Sequence, residues 1–194
     1  VTGSDAYVHL RMVDDGFVAV RPQSRLLIDL YEYDVARPAA SRVRLELERG
    51  TSRTVSGRAG EAAKRNYRFN TPLAAIGLRG TDYTVWVSED YTRVSVARGS
   101  IAVASLGEGC MAAALGPCAT TLARELDAST PHAYLEVNAS SRLPVIVRPE
   151  QDPSGASRQM APPVRPVEPR AEVGVSSGEL RQALGQVVTK QGAN

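Results

Sequence analysis

Lysine is nearly absent from this chain. Of its 23 basic residues only Lys64 and Lys190 are lysines, and the remainder are arginines. Basic and acidic side chains almost cancel, 23 against 21 for a net charge of +2, which leaves no electrostatic drive toward nucleic acid or an anionic membrane. Histidine is as scarce, with His9 and His132 alone, so a metal set lacks ligands and a histidine base has two candidates. His9 lies in an alternating run, His132 follows Pro131 in a turn, and no serine or cysteine motif marks a nucleophile. An enzyme would need one of the two in a cleft beside a carboxylate. The expectation is a protein without catalytic residues, metal or cofactor.

Aromatic residues amount to 5%, with one Trp, two Phe and seven Tyr. That is little for stacking bases or sugars. A glycan- or peptidoglycan-binding face would have to cluster Tyr31, Tyr33, Tyr83 and Tyr91 at the surface. No apolar run approaches the roughly 18–20 residues that span a bilayer, so membrane insertion is not expected. The N-terminus also lacks the basic-then-apolar pattern of a signal peptide. If the protein is exported, its signal has been removed or lies outside this chain.

Two cysteines, Cys110 and Cys118, stand in "GEGCMAAALGPC" with glycine and proline around them. Zinc would require more ligands, and a redox motif prefers two intervening residues rather than seven. A disulfide closing a small loop suits the spacing and implies an oxidising compartment, with two unpaired thiols as the alternative.

Residues 7–105 are β-like throughout. "YVHLRMV", "FVAVRP", "RLLIDLYEYD", "RVRLELERG", "YRFNTP", "DYTVWV" and "RVSVARGSIAVAS" are short alternating runs separated by Gly, Pro or Asp-Asp. This spacing predicts an antiparallel sandwich or barrel. "VRLELERGTSRTVSG" and "VSVARGSIAVAS" echo one another, each placing alternation on both sides of an Arg-Gly pair. Each is expected to be a hairpin with Gly50 or Gly99 at positive φ. "SGRAGEAAKRN", between strands, is expected to be a solvated polar loop. The acidic pairs Asp14–Asp15 and Glu89–Asp90 fall at turns, where such residues cap or solvate.

Beyond Cys118, "TTLAREL" fits a short helix or a strand, and "AYLEV" and "PVIVRP" fit two strands. From Pro149 the composition turns proline-rich, which favours an extended arm over helix or sheet interior. Ser176 and Glu179 form a capping box, and Leu180, Leu184 and Val187 share one face of a short terminal helix. The predicted organisation is a β domain over 1–148, an extended arm over 149–172 and a helical tail over 173–194.

The run "AAIGLRGTDYTVWV", Ala74 to Val87, breaks a β pattern with two glycines. A phosphate-binding loop would need a helix after Gly80, and the residues that follow are strongly β-forming. Preceded by Thr71-Pro72, the order Gly77, Arg79, Gly80, Thr81, Asp82 resembles the central motif of the FecR-type domain. "TGSDAYVHLRMVDDGFVAVRPQSRLLIDLY", "VRLELERGTSRTVSG" and "TRVSVARGSIAVAS" extend the resemblance over residues 1–105.

The resemblance implies a bacterial extracytoplasmic β domain, jelly-roll-like and without catalytic activity. It implies that Gly77 and Gly80 let strands bend and pass closely, with Arg79 a structural arginine bonding carbonyls or the Asp82 carboxylate. Regulators of that family carry a membrane helix and a cytoplasmic anti-sigma segment ahead of the domain, and the sequence shows neither. It also begins as though the first strand of the domain were missing.

The expectation is therefore a periplasmic or surface protein that works by protein–protein contact, as an assembly subunit pairing edge strands and docking its arm. Val164, Val167, Leu180, Leu184 and Val187 are the predicted contact residues. The alternatives are a periplasmic signal-sensing FecR-like domain and a glycan-binding module.

Overall fold

The computed structural model of the protein describes residues 1–107, 109–152 and 155. Among them are ten strands: β1 (Val8–Arg11), β2 (Phe17–Val20), β3 (Arg25–Glu32), β4 (Arg42–Val55), β5 (Tyr67–Asn70), β6 (Ala74–Val87), β7 (Tyr91–Ser105), β8 (Arg124–Asp127), β9 (Tyr134–Asn138) and β10 (Pro144–Val147). One helix, α1 (Arg58–Ala62), lies between β4 and β5. "TTLAREL" thus supplies a strand, and both later runs become strands as expected. The arm, expected to be extended from Pro149, starts with a single 3-10 turn, Pro149–Gln151. Proline at its first position explains the difference, since there the missing N–H costs nothing. The remainder of the arm, apart from Asp152 and Gly155, and the predicted terminal helix lie outside the described residues.

All ten strands join one sheet. The protein is mainly β, as predicted, but the sheet is mixed. β4 runs parallel to β5, pairing Val43 with Tyr67 and Glu46 with Asn70, while the other pairings are antiparallel. A parallel pair needs a crossover, and α1 with the 3-10 turn Lys64–Asn66 provides it. This corrects the expectation that "SGRAGEAAKRN" is only a solvated loop: Ala59, Gly60 and Ala63 are buried.

The predicted hairpins at Gly50 and Gly99 are also corrected. Each Arg-Gly pair sits inside one long strand, β4 of 14 residues and β7 of 15. The positive φ is present, 87° at Gly50, 65° at Gly80 and 77° at Gly99, but it bends the strand and does not end it. In β4 the buried positions are Val43, Leu45 and Leu47 before Gly50, then Ser52 and Thr54 after it. β6 shifts from Ile76 and Leu78 to Thr81, Tyr83 and Val85 across Gly80, and β7 from Thr92 and Val94 to Ile101 and Val103 across Gly99. Each glycine therefore accompanies a one-residue change of phase, as a bulge does.

The bends let each long strand serve two sets of neighbours. β4 meets β3 and β5 before its bend, then β2 and β6 after it. β7 meets β9 with Tyr91–Ser95 and β8 with Ser100–Val103. Residues from both halves share one core, including Val18, Leu45, Phe69, Ile76, Tyr83, Val94, Ile101 and Leu135. Phe69 and Tyr83 meet edge to face there, with ring centroids 5.7 Å apart. The fold is one sheet bent around a common core.

Candidate functional site

The Arg79–Asp82 bend is the centre of the predicted motif, and the structure distributes its residues differently from the expectation. Asp82 does not pair with Arg79. Its carboxylate accepts two bonds from Arg53 on β4, from Nε at 2.9 Å and Nη2 at 2.7 Å. The pair is largely shielded, with side chains 28% and 15% exposed, and the carboxylate pushes the Arg53 pKa further up. The phase change at Gly80 turns Asp82 toward the neighbouring strand, where Arg53 waits. Arg79 instead reaches Glu125 of β8 at 3.3 Å, with both side chains about 60% exposed.

Gly77 has a role that spacing did not reveal. It faces out of the core, and a methyl group placed there would come within 2.6 Å of the Pro117 Cβ. Pro117 belongs to the loop closed by the Cys110–Cys118 disulfide, which the structure contains. This loop lies on the outer face of the half-sheet formed by β5, the start of β6 and the end of β7. Ala75, Ala104 and Cys110 form a small apolar cluster beneath it.

Three polar side chains hold the loop by its carbonyls. Arg44 donates to Ala113, Asn70 Nδ2 to Ala112 at 2.8 Å, and Arg68 Nη2 to Leu115 at 3.4 Å. Arg68 also points Nη1 at Cys118 Sγ, 3.0 Å away. Burial and the nearby charge of Arg44 draw the Arg68 pKa down. Sequence reasoning missed Arg44, Arg68 and Asn70. Their only signal was polarity at outward positions of strands, which ordinarily means solvent.

A cleft of about 600 Å³ opens beside this loop, lined by Lys64, Arg65, Arg79, Pro117, Cys118 and Glu125 among others. Neither histidine is near it. His9 is exposed on β1 against Phe17, and His132 is exposed in a turn at φ 62°. The tyrosines named for a glycan face do not form one. Tyr83 is fully buried, Tyr31 donates to Asp14 at 2.7 Å, and Tyr91 packs under Arg93, 3.9 Å from ring to guanidinium. Among the described residues no cluster of His, Cys, Asp and Glu could hold a metal ion. No described helix is long and apolar enough to cross a membrane.

Asp14 belongs to one of the acidic pairs placed at turns, and it does cap, at long range. Its buried carboxylate accepts from the N–H of Gly16 and of Ala59, both at 3.1 Å, besides Tyr31. It thereby ties the β1–β2 turn to α1 and β3. The predicted contact residues Val164, Val167, Leu180, Leu184 and Val187 lie outside the described residues.

No curated protein matches the chain. Among solved structures, two crystal structures of a candidate anti-sigma factor from Parabacteroides distasonis share 14% identity with it, at a TM-score of 0.49. The alignment covers 76% of this chain and 57% of that one, so this chain spans somewhat over half of that protein's length. The family model described as "FecR protein" matches residues 1–102, from ahead of β1 into β7. That match takes in β1 to β6, most of β7 and more than half of the sequence, and the chain belongs to the FecR family.

Proposed function

We propose that this β domain is the extracytoplasmic sensing part of a signalling system and acts by binding another protein, without catalysis of its own. The family match over residues 1–102 carries the proposal. The disulfide agrees with an oxidising compartment, which supports export to the periplasm. Both histidines stand away from the cleft and no serine or cysteine motif accompanies them, which supports a binding role.

Sensing is a better reading than an assembly subunit. The family match favours sensing, whereas the five arm and tail residues expected to serve assembly lie outside the described residues. The described sheet offers its own surfaces for a partner. Among the described residues β3 pairs with β4 alone and β10 with β9 alone, and exposed Ile28 and Val145 lie on these two strands. A free edge can take up an extended segment through main-chain bonds.

The test is the solution mass of the whole chain by light scattering, together with calorimetric titration against the signalling domain of a transporter. A monomer that binds such a domain is the expected result. A stable oligomer that fails to bind it, and becomes monomeric when the chain ends at Arg148, would restore the assembly reading.

A further inference from the structure

Arg68 brings a buried positive charge to the disulfide, and among the described residues no carboxylate pairs with it. The residue is 1% exposed. Its Nη1 lies 3.0 Å from Cys118 Sγ and 3.8 Å from Cys110 Sγ, and its Nε has no hydrogen-bond partner among the described residues. Described ion pairs join Arg44 to Asp29 and Arg53 to Asp82, and none joins Arg68 to an acid. A guanidinium keeps its proton even when buried, so the charge persists. Burying it unpaired costs free energy, and the neutral sulfurs of a disulfide offset little of that cost. Reduction would change this balance, because it creates sulfurs able to carry negative charge beside Arg68. An adjacent arginine favours thiolate over thiol, and a stabilised reduced form makes a disulfide a stronger oxidant.

Access is the second observation. Cys110 is buried, whereas Cys118 is partly exposed and lines the cleft. Lys64, Arg65 and Arg79 stand around the same cleft against Glu125, a setting that draws in an anionic nucleophile.

We propose that Cys110–Cys118 is an exchangeable disulfide that takes a dithiol reductant through this cleft, with Arg68 stabilising the thiolates formed. One thiolate of the reductant attacks Cys118 Sγ, the sulfur–sulfur bond breaks, and its electron pair leaves on Cys110. The second thiol of the reductant, deprotonated, then attacks its own sulfur in the mixed disulfide and releases Cys118 as thiolate. The reductant ends as a disulfide, the two electrons reside on Cys110 and Cys118, and the two protons pass to solvent or to those sulfurs. Opening the ring frees Pro117 from Gly77 and loosens one wall of the cleft. The inference does not rest on the sensing proposal.

The experiment equilibrates the full chain with graded ratios of reduced and oxidised dithiothreitol and counts thiols by alkylation and mass. Arg68→Met should lower the equilibrium constant for reduction at least tenfold, about 30 mV for two electrons, and Arg68→Lys should retain most of the wild-type value. An Arg68 that only latched the loop predicts the opposite sign, since its removal would loosen the oxidised ring. An unchanged or raised constant in Arg68→Met overturns the proposal. If Arg68→Met does not fold, acid-quenched exchange of the wild type with glutathione decides. The adduct should map to Cys118, and an adduct on Cys110 overturns the route.

Discussion

Gly77 and Pro117 lie so close that the strand has no room for a side chain: a Cβ on Gly77 would stand 2.6 Å from the proline Cβ and 2.8 Å from its Cα. The disulfide limits how far Pro117 can yield, because it closes the loop on both sides. Gly77→Ala should therefore destabilise the protein by about 1–3 kcal/mol, the usual cost of overpacking. Urea denaturation of Gly77→Ala, Pro117→Gly and the double variant checks it. The double variant should recover part of the loss, and strictly additive effects would show that the two residues do not meet.

The two glycines at the bend of the β6–β7 pair should respond unequally to the same change. Gly80→Ala meets no atom within 4 Å and bears only the left-handed backbone cost, about 1–2 kcal/mol. Gly99→Ala bears that cost and also places a methyl 2.0 Å from the Gly80 carbonyl oxygen. Its denaturation midpoint should be clearly lower, and equal midpoints would contradict the packed bend.

Asp82 matters through Arg53, and Arg79 matters much less to stability. Asp82→Asn removes a charged, two-point hydrogen bond that is mostly shielded from water, at a cost of about 1–3 kcal/mol. Arg79→Ala breaks an exposed bridge to Glu125 and should cost less than about 1 kcal/mol. Thermal or urea unfolding of the two variants ranks them, and a reversed order would place the structural arginine at 79 after all.

Alkaline pH should unfold the protein through its tyrosines. Burial pushes the phenols of Tyr31, Tyr67 and Tyr83 above their ordinary value of 10, with Asp14 adding to the effect at Tyr31. The folded state then keeps these protons while the unfolded chain releases them. Their contribution is complete below pH 10 and is lost as pH rises above it toward the folded-state values. Stability measured from pH 8 to 12 should fall from about pH 10 onward. A flat profile would mean that the phenols titrate freely.

The bends show how far the sequence carries the fold. Alternation marked the strands except β8, whose run "TTLAREL" fitted a helix as well, and the Arg-Gly pairs pointed correctly to positive φ at Gly50 and Gly99. A hairpin turn and a bulge inside a strand need the same backbone conformation there, however, and differ only in which strand pairs on the far side. Residue spacing does not contain that choice. The Asp82–Arg53 pair escaped for a related reason, since its members are 29 residues apart and meet only through the pairing of β4 with β6. Arg68 was hidden more deeply. It occupies an outward position in β5 and would face water but for a loop some 40 residues later that covers it. The disulfide itself was legible because few other uses fit two cysteines at that distance.

The long pairing of β6 with β7, interrupted only at the bend between Arg79 and Tyr83, has a consequence for the order of folding. The hairpin joins Ala74 to Ser105 at one end and Val87 to Thr92 at the other, so its turn closes over a short stretch of chain. The β4–β5 and β7–β9 pairings must close longer loops, which costs more entropy before any contact compensates it. Because the hairpin reaches into both halves of the bent sheet, its early formation would set the register of both at once. Val85→Ala in the hairpin should then slow refolding, and Leu126→Ala in β8 should act mainly by speeding unfolding.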